Sequence, residues 1–427
     1  MSSAAITRPP LLTNIYLRAA LGAVTKKHSL SPEITRLEAG AIAPENLYFT
    51  LNRVHIRQFR RVIDDNVSAN LQSNVHQVAP LTYLQCILNC LPMNQLTHPN
   101  FPLNIVGSVH ESIAITSHYP IPHDATTVPL RAHCHIEPEI QRSDKDDWIF
   151  SIVTRVEDDS HYDHNDDNVD DAPHPPPLPI MTITNQYRIL NPQRHKSSNK
   201  TLQQEEPAST DLASSPISVS ELLLSAPAPT TTTPDYFQDA TWQKLAQWKF
   251  SEDAGRRYAA LNGDINPIHM HPLSAKLFGY RSCIAHGMHS VCKVWSVVET
   301  MPFMIHAQQP ASLSWDIVDD DKDHDNQNDN DNQETDISEI TLTARFLRPT
   351  LLPNPEVVAF WRATSDHGDA DDDVDAARTR DHDVATMKSN QSYEYVIGTR
   401  HHPKEDDTFK ETIRGTIEIV RKNKTGS

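Results

Sequence analysis

Apolar residues at 84, 87, 88 and 91, within the run Pro80–Leu91, recur at helical spacing and predict a buried helix that ends at Pro92. Stretches at 104–116, 128–140, 148–156 and 180–190 alternate instead, as in Arg131-Ala132-His133-Cys134-His135-Ile136-Glu137. That period belongs to half-buried strands. Ahead of them, residues 1–30 read as one short helix, Glu45 to Arg57 as a strand and Arg57 to Leu71 as a polar helix. The same rhythm returns later. Met288, Val291, Cys292, Trp295 and Val298 place a second buried helix over 288–301. The segment Trp242 to Phe250 precedes this half's chemistry, and strands are expected near 311–318, 337–348, 356–364, 391–401 and 410–420. Each half thus predicts an antiparallel sheet around one apolar helix, an α+β architecture.

Between the halves, residues 193–235 are rich in Ser, Thr, Pro and Gln and read as a linker, with a helical turn expected near Val219–Leu224. Domains are therefore expected at 1–192 and 236–422. The chain has 427 residues and a formal charge of −18, but that charge is concentrated. Residues 157–171, 319–336 and 366–383 hold 25 of the 56 acidic residues and three basic ones, leaving the remainder slightly basic. The three runs read as solvated inserts in hairpin loops, which argues against an acidic binding face for the whole molecule. As a calcium loop the second run fails. With Asp321, Asp323 and Asp325 at the first three ligand positions, Asn326 stands where Gly is needed and Asn332 where Glu is needed.

Five cysteines, with Cys86 and Cys90 on one helical stripe, read as free buried thiols of an intracellular protein rather than a disulfide framework. No apolar run approaches the roughly 20 residues of a membrane span. Arg8, Arg18, Lys26 and Lys27 precede the first acidic residue, Glu33, which keeps a mitochondrial address beside the cytoplasmic one. The carboxyl end, Lys424-Thr425-Gly426-Ser427, carries no peroxisomal signal.

The chemistry is concentrated in Tyr258-Ala259-Ala260-Leu261-Asn262-Gly263-Asp264-Ile265-Asn266-Pro267-Ile268-His269. Asn266 suits an N-cap and Pro267 the first helical position, placing His269 in the first turn of a short helix with Asp264 in the turn before it. The helix N-terminus is expected to keep His269 neutral and basic. Cys283-Ile284-Ala285-His286-Gly287-Met288 then puts Gly287 at the mouth of the buried helix, where free N–H groups suit a developing oxyanion. From the residues alone, Asn262-Gly263-Asp264 is an ordinary turn signal. Asp264 with His269, His271, His286 and His289 also admits a zinc cluster, although His269-x-His271 lacks a matching Cys or Glu. His271 and His289 read as polar surface or supporting residues. His110, His133 and His135 show no ligand spacing, and alternation puts the last two on one exposed sheet face.

The motif from Tyr258 to His269, followed by Ala275 and Ile284-Ala285-His286-Gly287, resembles the MaoC-type (R)-specific enoyl-thioester hydratases, the hydratase 2 family. The resemblance is close over 245–300 and looser over Ala344–Pro353; Asn262 departs from the family's usual small residue. It implies a double hot-dog fold whose first half, lacking the motif, is catalytically empty. It implies Asp264 and His269 as catalytic groups that hold one water, with Gly287, Asn266 and His286 in oxyanion and substrate contacts. The implied reaction is reversible hydration of a trans-2-enoyl thioester to the (R)-3-hydroxyacyl thioester. No metal or cofactor is required, and the substrate is carried on coenzyme A or a carrier protein. No nucleic-acid partner is expected, and a homodimer is compatible with the pattern. A hot-dog thioesterase and a non-catalytic acyl-thioester-binding scaffold are the alternatives.

Overall fold

The computed structural model describes residues 4–5, 17–19, 21–22, 25–26, 36–37, 42–65, 79–105, 108–118, 129–144, 146–159, 179–190, 236–301, 304, 336–353, 356–364, 391–400 and 409–422. In the first half, strand β1 (Glu45–Thr50) leads into helix α1 (Arg53–Ile63) and the buried helices α2 (Leu81–Leu88) and α3 (Cys90–Thr97). Strands β2 (Val109–Ser117), β3 (Leu130–Ile136), β4 (Trp148–Asp158) and β5 (Pro179–Ile189) follow. The second half repeats this plan. Strand β6 (Gln243–Trp248) precedes α4 (Ala254–Asn262), α5 (Pro267–Met270), α6 (Pro272–Leu277) and α7 (Gly287–Val298). Strands β7 (Asp336–Phe346), β8 (Val357–Ala363), β9 (Gln391–Arg400) and β10 (Phe409–Lys422) complete it.

Among the described residues all strands join one continuous sheet in the order β1-β3-β4-β5-β2-β7-β10-β9-β8-β6, with Ala4–Ala5 on the outer side of β1 and Gln141–Arg142 beside β4. Outward from the central β2–β7 pair, the first half runs β5, β4, β3, β1 and the second β10, β9, β8, β6. The two halves are therefore the same arrangement twice. Each sheet buries its alternate residues: Met181, Ile183, Asn185, Tyr187 and Ile189 on β5, and Ile413, Ile417 and Ile419 on β10. They pack on α2, buried over its whole length, and on α7, buried from Met288 to Val298. At about 25 cal/mol per Å² of apolar surface, these two helices and the sheet faces over them supply the main driving force for folding. The chain is a double hot-dog protein.

The halves are joined by more than the sheet. Lys293 on α7 donates to the carbonyls of Ile63 and Asp65, both at 2.6 Å, satisfying the open end of α1. Arg60 on α1 pairs with the buried Glu299 just past α7, and Arg257 on α4 pairs with Asp65.

Several expectations shift. Pro92 does not end a helix; it sits in the first turn of α3, where its missing N–H has no acceptor to lose, and the break falls at Asn89. The polar helix expected over 57–71 begins earlier, at Arg53, because Asn52 caps it by accepting from the N–H groups of Val54 and His55. The strand read from Glu45 to Arg57 accordingly stops at Thr50. Of residues 1–30, helical backbone is described at 17–19, 21–22 and 25, while Ala4–Ala5 is a short strand. His133 and His135 share one half-buried face, their rings 5.6 Å apart, held by Asn46 and Glu137 respectively. All five cysteines are free and buried. The linker 193–235, the strand at 311–318 and most of the three acidic runs lie outside the described residues; residues 157–158 continue β4 and Asp336 opens β7. In sequence, the first and third runs fall between the antiparallel partners β4–β5 and β8–β9, whereas the second falls between α7 and β7.

Candidate active site

Helix α4 stops because Gly263 adopts φ 74°, a left-handed conformation that a side chain disfavours, while its N–H still bonds the Ala259 carbonyl at 2.9 Å. A chain of side-chain turns follows. Asn262 accepts from the Asp264 N–H (2.9 Å), Asp264 Oδ1 accepts from the Asn266 N–H (3.1 Å), and Asn266 accepts from the Ile268 N–H (3.3 Å). Asn262 therefore acts as a brace for the turn. Asn266, expected to contact substrate, spends its side-chain oxygen as the cap of α5, with Pro267 at the first helical position.

His269 stands on α5, 9% exposed. Its Nδ1 lies 2.9 Å from the Ile284 carbonyl. A carbonyl can only accept, so Nδ1 carries the proton and Nε2 keeps its lone pair. The segment bearing Ile284 is itself held in place: Ile284 N–H donates to Ile268 O (3.1 Å), and Ala285 N–H donates to Thr350 O (2.8 Å). Burial lowers the His269 pKa, against the raising influence of Asp264 and the Ile284 carbonyl. The downward shift expected from the sequence is thus present, but for a different reason. Desolvation is the first cause, and a four-residue helix adds little dipole.

His286 is the N-cap residue of α7 and stacks on His269, ring centroids 3.7 Å apart and planes inclined at 27°. Its Nε2 lies 3.3 Å from the Asp264 carbonyl oxygen and 3.6 Å from Asp264 Oδ2. Burial, with a smaller push from His269, lowers its pKa to about 3, so it too is neutral. Polar atoms of Asp264, His269 and His286 all fall within 4.8 Å of one another. That distance accommodates one water bonded to Asp264 and His269.

The three donor atoms are also close enough together to hold a metal ion, with the His269 and His286 rings stacked and their planes inclined at 27°. The other members of the suspected cluster are occupied elsewhere. His271 is exposed and its Nδ1 accepts from the Leu273 N–H (3.2 Å), capping α6. His289 is not a surface residue: it is 3% exposed and stacks on Tyr258 at 4.8 Å, inside the core.

Gly287 opens α7, where first-turn N–H groups have no intrahelical acceptor. The Phe346 ring, at the end of β7, lies directly against it; a Cβ on Gly287 would come within 2.5 Å of Phe346 Cδ1. Phe346 also touches the first half: its ring is 4.8 Å from that of His110, which stacks in turn on Tyr187 at 4.8 Å. Burial lowers the His110 pKa and raises that of Tyr187, and the charge on Asp264 adds a smaller upward influence on both. Side chains of the half that lacks the motif therefore reach Phe346, which borders Gly287. The sequence offered only one signal for them: a histidine and a tyrosine within strands that adjoin the centre of the sheet.

The described residues thus combine an antiparallel double hot-dog with a carboxylate–imidazole pair beside a buried helix N-terminus. Residues 226–310 match the family model described as MaoC like domain. A 44-residue stretch is 54% identical to 3-hydroxyacyl-thioester dehydratase X of Mycobacterium tuberculosis (strain ATCC 25618 / H37Rv), covering 10% of this chain and 16% of that protein. Among solved structures, a MaoC-like dehydratase aligns with a TM-score of 0.50 at 12% identity, covering 90% of this chain and 98% of its own. HtdX of Mycobacterium tuberculosis aligns with a TM-score of 0.48 at 15% identity, covering 88% and 99%. At such identities the first of these structures speaks for the fold. Among the described residues, no helix is long and apolar enough to cross a membrane.

Proposed function

We propose that this protein catalyses the reversible hydration of a trans-2-enoyl thioester to the (R)-3-hydroxyacyl thioester. One observation carries the reading: Asp264 and His269 present polar atoms within 4.8 Å of each other, with the Nδ1 proton of His269 committed to Ile284 and its Nε2 lone pair free. A water bonded to both is oriented by Asp264 and deprotonated by Nε2 as its oxygen adds to the β-carbon. The electron pair of the double bond moves into the thioester, and its oxygen gains enolate charge. An N–H at or beside Gly287 stabilises that charge, a contribution of about 3–4 kcal/mol where such donors have been removed from other enzymes. A proton from the Asp264–His269 pair then completes the α-carbon. The substrate's own carbonyl is the electron sink, so this mechanism calls for no metal or redox cofactor. His286, neutral and stacked on His269, sets the plane of the base.

The name of the matched relative, a 3-hydroxyacyl-thioester dehydratase, supports the same chemistry run in reverse. The slightly basic remainder of the chain suits a substrate carried on the phosphates of coenzyme A or a carrier protein. The test is loss of enoyl-thioester absorbance with purified full-length protein across an acyl-chain series, with chiral analysis of the product. Hydration to the (R)-alcohol supports the proposal. Release of free thiol without loss of conjugation identifies a thioesterase instead. Binding without turnover identifies a carrier or scaffold.

A further inference from the structure

The first half lacks the Gly-Asp-x-Asn-Pro-x-His motif, yet its strand β2 carries a distortion aimed at the site. The β2–β5 register shifts between His110, opposite Tyr187, and Ser112, opposite Gln186, so Glu111 is an extra residue in the ladder. Strict alternation from the buried Ile113 and Ile115 would point Glu111 inward and His110 out. The bulge exchanges them. Glu111 turns out to the arginines of both halves, bonding Arg188 Nε at 3.1 Å and lying 3.6 Å from Arg345. His110 turns in, over Phe346 and Tyr187.

Once inside, His110 is only partly used. Among the described residues its Nε2 is sealed from solvent and has no partner in hydrogen-bond geometry, although Asn185 and the Ser112 backbone lie near enough to the ring to favour its protonated form. An unpaired buried nitrogen is destabilising, so a ring used for packing alone would be better as Phe. The ring that touches both Gly287 and His110 is Phe346, half-buried at the end of its strand. Phe346 is thus a shared neighbour of the Gly287 backbone and the His110 imidazole. Burial keeps that imidazole neutral, with its pKa lowered to about 4.

We propose that His110 is a substrate-binding residue of the hydration site, with Nε2 forming a hydrogen bond to the bound thioester, so that the site is a composite of both halves. The inference rests on the hydratase reading above. The substitution His110→Phe keeps the stack on Tyr187 and Phe346 and removes only the ring nitrogens; His110→Gln keeps a hydrogen-bonding group at that position. Full-length His110→Phe is expected to melt within a few degrees of wild type and to lose 10- to 100-fold in kcat/KM, with His110→Gln recovering part of the loss. Wild-type kinetics in a folded His110→Phe would overturn the proposal, because they would show His110 to be packing alone. A second measurement stands whether or not the Phe variant folds. In wild-type protein labelled with ¹⁵N-histidine, the His110 Nε2 resonance, assigned by its loss in His110→Gln, should move when an (R)-3-hydroxyacyl-CoA is added. An unmoved resonance at saturation overturns the proposal. Wild-type protein that binds the thioester with this shift but does not hydrate enoyl thioesters would fail the hydratase reading and leave the contact standing.

Discussion

Gly255 is the second residue of α4 and carries no side chain of its own, yet its contact bears on where His269 stands. A Cβ at this position would meet the carbonyl oxygen of His269 at 2.1 Å, its carbonyl carbon at 3.0 Å and its Cα at 3.4 Å. The obstacle is backbone, which cannot rotate away as a side-chain tip can. In Gly255→Ala, restoring ordinary contact requires α4 and α5 to separate by roughly 1 Å, a typical van der Waals adjustment for an inserted methyl. Alanine gains up to about 1 kcal/mol of helix propensity, less near a helix end, while overpacking costs about 1–3 kcal/mol. The net stability loss should therefore be about 0–3 kcal/mol, a melting temperature lowered by several degrees. The kinetic loss should be far larger. A displacement of about 1 Å in a catalytic group costs on the order of 10²-fold in rate. Thermal unfolding and enoyl-thioester hydration, measured on the same preparation, separate the two effects. A folded variant with nearly wild-type kcat would refute the reasoning that this contact fixes His269.

Other outcomes follow from the buried charges and thiols. His286 holds no proton in the folded state until about pH 3, whereas the unfolded chain takes one up near 6.5, so its contribution to stability is full above 6.5 and is lost as pH falls toward 3. Denaturant titrations between pH 7 and 4 should show a slope smaller by up to about 1.4 kcal/mol per pH unit in His286→Gln than in wild type. Arg60→Ala strips the buried Glu299 of its guanidinium partner and should cost about 3 kcal/mol, read from the urea midpoint; a change below 1 kcal/mol would show the carboxyl is accommodated without it. Burial raises the Glu299 carboxyl to about 7, so protonation limits that loss at acidic pH. All five thiols are buried, and a thiol reagent should titrate almost none in native buffer and five in denaturant.

The sequence displayed whatever depends on local period and turn chemistry. Apolar spacing located α7 within a few residues, and alternation located β3, β4, β5, β8, β9 and β10, because each buries one face of a regular element. Asn262, Gly263 and Asn266 announced the turn that holds Asp264 because their side chains and backbone freedom act within two or four residues. What stayed hidden depends on partners distant in the chain. A bulge at Glu111 reverses the face of His110, and only the ladder with β5 reveals it. His289 looks polar in sequence but is enclosed by Tyr258 and Phe250, which arrive from α4 and the end of β6. Pro92 signals a helix end unless the chain breaks just before it, as at Asn89. The approach of the first half to Phe346 was invisible for the same reason: it arises where β2 meets β7, 225 residues apart at the Thr116–Thr341 hydroxyl pair.

The central claim is that Asp264 and His269 jointly activate one water. Its most direct test is the hydration rate of Asp264→Asn, His269→Ala and the double variant, each shown by circular dichroism to be folded. Each single change should lower kcat by about 10²–10⁴-fold, the usual worth of one positioned acid–base group. The double variant should be little slower than the worse single, because both groups serve the same water. Folded single variants that retain wild-type turnover would contradict the account, as would losses in the double variant that multiply as for independent groups.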